Sequence, residues 1–372
     1  MSFYTEEQLK WRQDVKQKIK EIRKKYHVEI EHSETYSEFS WEVHNAIAQE
    51  GWLELKGARE YAVLMEETAR TGVPQYAIHM SNPLAKVLQH HGIEELKAKY
   101  LSKLSSGEYL AAVAVSEPDA GSSLKRLSTT AIVQGDNYVI NGNKIHINVA
   151  QEADVLLVFT NTDKGLTCIL VDKDVDGVKY YKRDPIGLRD APVYQVRFKD
   201  CTVPVSQLLG HEGEGYKLFF SWFDLTRIGN ASKSIGWAQA ALDQTMNFIT
   251  KRRVGDNYLT DFQGIQWYLA DMYTELEAAR LLRDKAAWKS DMSYPHAKET
   301  AMAKLKAVQV AENIISTCMR INGGNALYNN SPFMKLYGSN KTLEVGGGSI
   351  EVMRNLIASQ ILKERNTNGE KE

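Results

Sequence analysis

The spacing of apolar residues changes character twice along the chain. Up to about residue 108 it is helical. Leu9, Val15, Ile19 and Ile22 recur between charges at near-helical intervals, and segments 62–69, 84–88 and 96–104 continue the pattern, with Gly72, Pro83 and Gly92 as punctuation. Ser105-Ser106-Gly107 closes this part. From Tyr109 to about Val205 the runs AAVAVS, TTAIVQ, YVIN, DVLLVFT, TCILV, VKYY and VYQVRF are short and rich in β-branched or aromatic residues. Gly135-Asp136-Asn137 and Asn141-Gly142 read as tight turns between such runs. Seven or so close-set strands with no helical segment between them predict a small antiparallel barrel or sandwich. Beyond it, Ala238, Ala241, Leu242, Thr245, Phe248 and Ile249 line one largely apolar helix face. Segments 265–287 and 296–319 are two more long helices, with Pro295 where a first-turn proline is tolerated, and 349–362 is the last. The fold class is therefore α+β. An N-terminal helical domain (1–108) precedes a middle antiparallel β-barrel or sandwich (109–208) and a C-terminal four-helix bundle (209–372).

Charge narrows the function. Against 47 acidic residues stand 46 lysines and arginines, a net charge of −1, which argues against a nucleic-acid partner. Cys168, Cys201 and Cys318 are odd in number, far apart and in no CxxC pair, so neither a disulfide framework nor a metal site is expected. The N-terminus is charged and amphipathic, unlike a signal peptide, and no stretch has the length of a membrane span. The expectation is a cytoplasmic protein with no membrane association.

Five segments offer chemistry. SEPDAGSS (116–123) follows a strand and exposes backbone N–H groups and the hydroxyls of Ser116, Ser122 and Ser123. It suits the edge of an electron-rich ring or a thioester tail, although by composition alone most such loops are plain strand-to-strand turns. NGNKIHINVAQEAD (141–154) reads as a hairpin with an Asn-Gly turn, on which His146 faces opposite to Ile145 and Ile147, either toward a flat ligand or toward solvent. FDLTRIG (223–229) opens the first long C-terminal helix and sets Asp224 and Arg227 three apart on one face. INGGNAL (321–327) is a helix end whose two glycines admit another chain or a diphosphate, with Arg320 as a cation beside them. LEVGGGSIEVMRNLIA (343–358) puts three glycines before a helix, either a linker or an anion-receiving N-terminus. Neither a Walker loop nor a GxGxxG after a strand is present.

The order of these segments in an α–β–α layout, with Q-x-x-x-x-x-LADM at 263–272 between them, resembles the acyl-CoA dehydrogenase family of flavoproteins from end to end. The resemblance implies FAD, held between the β domain and the C-terminal helices with adenosine contacts from a second subunit, and hence a homodimer or homotetramer. It implies that Ser116 meets the pyrimidine edge of the flavin. Ser122 would lie near the substrate thioester, with Asp224 and Arg227 also on the substrate side. His146 stands where a tryptophan usually packs on the flavin, and Asn148 where a threonine hydroxyl usually meets N5. Arg252 or Arg253, Gln263, Arg320, Gly323, Gly324 and Ser349 would hold the diphosphate and adenosine, with Arg320 replacing a glutamine.

The departures concern the base. Family members remove the substrate α-proton with a glutamate just before the last helix, and in others the glutamate precedes the helix-borne arginine. These positions are Gly347 and Thr226 here, so the catalytic base is unassigned, with Glu344 as the fallback and Glu351 nearby. The Pro-x-x-x-Gly-Gly loop is missing around 52–57, and an Arg-Asp-Ala triplet has become Gly338-Ser339-Asn340. A positioned base contributes roughly 10²–10⁴-fold, so its loss favours a substrate whose proton leaves oxygen, an alcohol or aldehyde hydrate. A branch of the family oxidises short hydroxy- or amino-acyl groups tethered to an acyl carrier protein in making polyketide extender units, and this chain is similar to it in length and altered base. An ordinary α,β-desaturase of CoA thioesters and a non-catalytic flavin-binding protein are the alternatives.

Overall fold

The computed structural model describes residues 3–369. Six helices come first among them: α1 (Glu6–Lys25), α2 (His27–Tyr36), α3 (Trp41–Gln49), α4 (Ala58–Thr71), α5 (Tyr76–His91) and α6 (Glu94–Ser106). The strands follow as β1 (Ala111–Ala114), β2 (Thr130–Gln134), β3 (Asn137–Asn148), β4 (Val155–Thr162), β5 (Gly165–Asp172), β6 (Val178–Arg183), β7 (Val193–Pro204) and β8 (Leu208–Leu209). The chain then becomes helical again: α7 (Gly215–Ile249), a small hairpin of β9 (Arg253–Val254) and β10 (Asn257–Tyr258), α8 (Gln263–Asp291), α9 (Ala297–Asn322), α10 (Pro332–Val345) and α11 (Ile350–Gly369). No helix among the described residues is long and apolar enough to cross a membrane.

The chain divides into two compact units and passes between them after Lys25, Leu55 and Val73 and, inside α7, after Phe223. One unit contains Tyr26–Leu55 and Pro74–Phe223. Its sheet runs β6-β7-β3-β2-β4-β5-β8, with β1 also on β4. Most pairings are antiparallel, but β1 lies parallel to β4, as does the single β2 pairing Thr130 with Asn161, so the sheet is mixed. β1 and β4 are parallel because a long excursion carrying β2 and β3 separates them. Leu84, Leu88, Tyr100, Leu104, Leu157, Leu170 and Leu218 share one buried cluster that seats α5 and α6 on the sheet.

The other unit contains α1, α4, the rest of α7 and α8–α11. Val15, Ile19 and Ile22 of α1 are buried, at the spacing the sequence predicts, while Leu9 is exposed. In α4 every residue from Tyr61 to Ala69 is buried. Gly229 and Gly236, seven apart on α7, allow it to lie close on α4: a Cβ at either would come under 3.0 Å from Tyr61 or from the Glu66 carbonyl.

Five details differ from the sequence reading. Asn141-Gly142 is not a turn, because β3 runs straight through it with a register shift against β7. The glycine is needed for a different reason: Thr129 packs where its Cβ would be. Pro83 does not end a helix but lies inside α5, and beside it Asn82 Nδ2 donates to the Ile78 carbonyl (3.0 Å). Pro295 precedes the N-cap His296 rather than entering the first turn of α9. FDLTRIG lies in mid-helix, since α7 begins at Gly215. The C-terminal part also has a fifth helix, α10, opened by Ser331 as N-cap (its Oγ accepts from Phe333 N at 3.3 Å) and Pro332 in the first turn.

Candidate functional site

In the β-containing unit the candidate residues gather where β1 ends and β3 bends. Ile145 N donates to the Ser116 carbonyl at 2.8 Å, which joins the SEPDAGSS loop to β3. Glu117 locks that join from below. Its side chain is 2 % exposed and receives Lys144 Nζ (2.7 Å), Ser128 N and Oγ (2.6 and 2.7 Å) and Thr129 N (2.9 Å). Lys144 also donates to the Val115 carbonyl (2.9 Å). Burial pushes the Glu117 carboxyl up, but the hydrogen bonds from Lys144, Thr129 and Ser128 outweigh it and bring it to about 2. Ser116 is half-buried above this pair, and Ser122 and Ser123 are exposed.

β3 is irregular just where its chemistry lies. The β3–β7 register breaks between Lys144 and Ile147, and His146 and Val149 take left-handed φ values of 59° and 49°. Non-glycine residues hold such values where surrounding contacts enforce them, and they cluster at functional sites. Here Val149 N is pinned to the Pro192 carbonyl (2.6 Å), and Tyr76 OH donates to the Asn148 carbonyl (3.2 Å). The bulge leaves the His146 ring exposed. Asn148 is half-buried, with Nδ2 donating to the Ala191 carbonyl at 3.0 Å.

In the helical unit the residues fall into two groups. Arg252, Gln263 and Arg320 are exposed. Arg320 lies 5.7 Å from the Tyr268 ring centre. Gly323 caps α9 with φ 62°, and a Cβ on Gly323 or Gly324 would meet nothing within 4 Å, so the backbone there is open to close approach. An open glycine pair beside a cation is the donor set that a diphosphate needs, and an exposed ring on a strained bulge beside serine hydroxyls suits a flavin edge. Each set, taken by itself, is chemically compatible with one part of FAD.

The second group surrounds the glycine loop between α10 and α11. Gly347 and Gly348 have φ of 71° and 87°. Lys304 of α9, 0 % exposed, donates to the carbonyls of Gly346 (2.7 Å) and Gly348. Burial, then the charges of Arg227 and Lys233, drive its amine down to about 7. Asn230 of α7 points its amide at Gly347: a Cβ there would lie under 3.0 Å from Nδ2. Thr226 and Arg227 are buried on the same helix, and Arg227 pairs with Asp224 at 2.9 Å. Both nearby carboxylates have partners, and Glu351 stays at the loop, hydrogen-bonded to Ser349. Glu344 accepts from Lys341 (2.9 Å), which also pairs with Glu312, while the exposed Glu351 lies 3.7 Å from Arg354. Ser349 Oγ accepts from Val352 N at 3.3 Å as the cap of α11. Asn340 is a buried strut, accepting from Ser234 and donating to the Val308 carbonyl.

Sequence reasoning passed over Lys304, Asn230, Glu117 and Lys144. Lys304 had a signal: it interrupts the buried face formed by Ala301, Val308 and Ala311, where a lysine needs a reason. Asn230 likewise sits among buried positions of α7.

Sequence profiles described as the N-terminal, middle and C-terminal domains of acyl-CoA dehydrogenase match residues 5–108, 112–201 and 213–362. The chain is 36 % identical over 313 residues to the human mitochondrial short-chain specific acyl-CoA dehydrogenase, covering 82 % of this chain and 76 % of that one. It is 35 % identical over 295 residues to the NADH acryloyl-CoA reductase of Anaerotignum propionicum, covering 77 % and 74 %. The butyryl-CoA dehydrogenase structure from Megasphaera elsdenii superposes with a TM-score of 0.90 at 26 % identity, over 97 % of this chain and all of that one.

Proposed function

This chain belongs to the acyl-CoA dehydrogenase family and is an FAD-dependent oxidoreductase; from that premise we propose that it oxidises a short hydroxy- or amino-acyl semialdehyde thioester tethered to an acyl carrier protein. The observation that carries this reading is the wall at Gly347. A buried amide and a buried lysine stand there, and of the two neighbouring carboxylates Glu344 pairs with Lys341 while the exposed Glu351 is hydrogen-bonded to Ser349. Deprotonating an α-carbon without a positioned base forfeits roughly 10²–10⁴-fold. An aldehyde hydrate needs no such base: its C–H bond breaks with the electron pair, its O–H proton passes to solvent, and a carboxylic acid results. Bound FAD supplies the acceptor for that electron pair.

The chain's own residues hold and orient. Arg252, Gln263, Arg320, Gly323, Gly324 and Ser349 would hold the diphosphate and adenosine, and Ser116, His146 and Asn148 the flavin. Ser122, Asp224 and Arg227 belong to the substrate side. Exposed Trp267, Tyr268 and Tyr273 on α8 suit a subunit contact, and we read the protein as a cytoplasmic homodimer or homotetramer.

The test offers the holoenzyme, without oxygen, a carrier-tethered hydroxyacyl semialdehyde and, separately, short acyl-CoAs. Loss of oxidised-flavin absorbance with the tethered substrate alone is the expected result. Bleaching by short acyl-CoAs that Glu344→Gln abolishes would instead establish a desaturase with a displaced base. No bleaching with any thioester would leave a flavin-binding protein without catalysis.

A further inference from the structure

Ser116 is fixed on both sides by its neighbours in the β-containing unit. The carbonyl before it, that of Val115, accepts from Lys144 Nζ at 2.9 Å. Its own carbonyl accepts from Ile145 N at 2.8 Å. Glu117, the next residue, closes the turn: its N–H donates to the Ala120 carbonyl (3.0 Å), and Ala120 N returns the bond (3.1 Å). Lys144 and Ile145, adjacent on β3, thus set both peptide groups that flank Ser116. In a trans peptide the C=O and the following N–H point in opposite directions, so the Ser116 N–H is turned away from Lys144. Neither this N–H nor the Ser116 hydroxyl has a partner among the described residues. The same lysine borders the bulge. Lys144 pairs with Val196 and Ile147 with Tyr194, so Ile145 and His146 together face Gln195. Packing alone does not call for an ion pair here. Lys144 and Glu117 are 0 % and 2 % exposed, and apolar residues of similar volume often fill such a place with equal or greater stability. What an apolar residue would not supply is the bond to the Val115 carbonyl.

We propose that Lys144 is a positioning residue for the flavin: through the Val115 carbonyl it aims the N–H and hydroxyl of Ser116 at the flavin's pyrimidine edge, and Glu117 anchors Lys144 there. This rests on the reading that Ser116 meets the flavin, and it adds the group that sets the geometry and a consequence for redox poise. Two-electron reduction places negative charge on the pyrimidine side of the isoalloxazine, and hydrogen bonds to a charged acceptor are about twice as strong as neutral ones. Two aimed donors therefore favour the reduced form of the cofactor over the oxidised one. The effect does not depend on which thioester is oxidised.

The experiment measures the reduction potential of FAD bound to the protein, by equilibration with a reference dye, in the wild type, Lys144→Met, Ser116→Ala and the two combined. Thermal unfolding is recorded on each. Lys144→Met removes the donor and leaves Glu117 its bonds from Ser128 and Thr129. It should lower the potential by about 30 mV, a tenfold loss of the preference for reduced FAD. Ser116→Ala should lower it as well. The combined variant should fall by less than the sum, because Lys144 acts through Ser116. Where Lys144→Met does not fold, the pair Glu117→Gln and Lys144→Met, which leaves no lone buried charge, takes its place with the same expectations. Earlier unfolding with an unmoved potential would make Lys144 merely structural and overturn the proposal, as would shifts that add. A shift in Ser116→Ala without one in Lys144→Met overturns the positioning role alone. A potential unmoved by Ser116→Ala overturns the placement of Ser116 at the flavin, and the positioning role with it.

Discussion

Glu117 is worth most attention among single residues, because it holds the SEPDAGSS loop against β3 through an ion pair with almost no solvent access. Glu117→Gln leaves Lys144 buried beside a neutral amide, and breaking one side of such a pair costs about 3–5 kcal/mol. Denaturant unfolding of the purified holoenzyme measures it. The pH dependence has a definite sign. The carboxyl is lowered from 4.5 to about 2 on folding, so its contribution is complete above pH 4.5 and is lost as pH falls toward 2. The wild type should lose stability through that window, and the glutamine variant should lose less. Neither residue was legible from sequence as a pair, since 26 residues, β2 among them, separate them and only the sheet brings them together. Ser116 and His146 were legible as candidates because their motif survives locally, and the left-handed backbone at His146 was not, because it is set by contacts made after folding.

At the scale of elements, periodicity recovered the long helices and most strands, and it failed where a residue's usual role was overridden by packing. Asn141-Gly142 has the composition of a turn, yet β3 continues because its neighbour Thr129 requires a residue without a Cβ at 142. Gly142→Ala should therefore destabilise by about 1–3 kcal/mol through overpacking, with part recovered by Thr129→Gly; chemical denaturation of the single and double variants checks it. Pro83 likewise has the composition of a break, yet α5 continues through it. Helix α10 escaped notice because it is short and only four of its residues are buried, Phe333, Gly338, Asn340 and Leu343, although Ser331-Pro332 announced its start.

For the molecule as a whole, the helical–β–helical order is what the family profiles and the solved relatives share with this chain, and it was readable because it depends on pattern and not on any one residue. The functional reading turns on a few positions: Gly347 and Thr226 in one unit, His146 and Asn148 in the other. The central claim is that the reacting carbon faces a wall without a base. Deuterium exchange tests it most directly. The holoenzyme is incubated with butyryl-CoA in heavy water, and the α-carbon is followed by NMR. The account predicts no enzyme-dependent incorporation of deuterium there. Rapid incorporation, lost in Glu344→Gln, would contradict it.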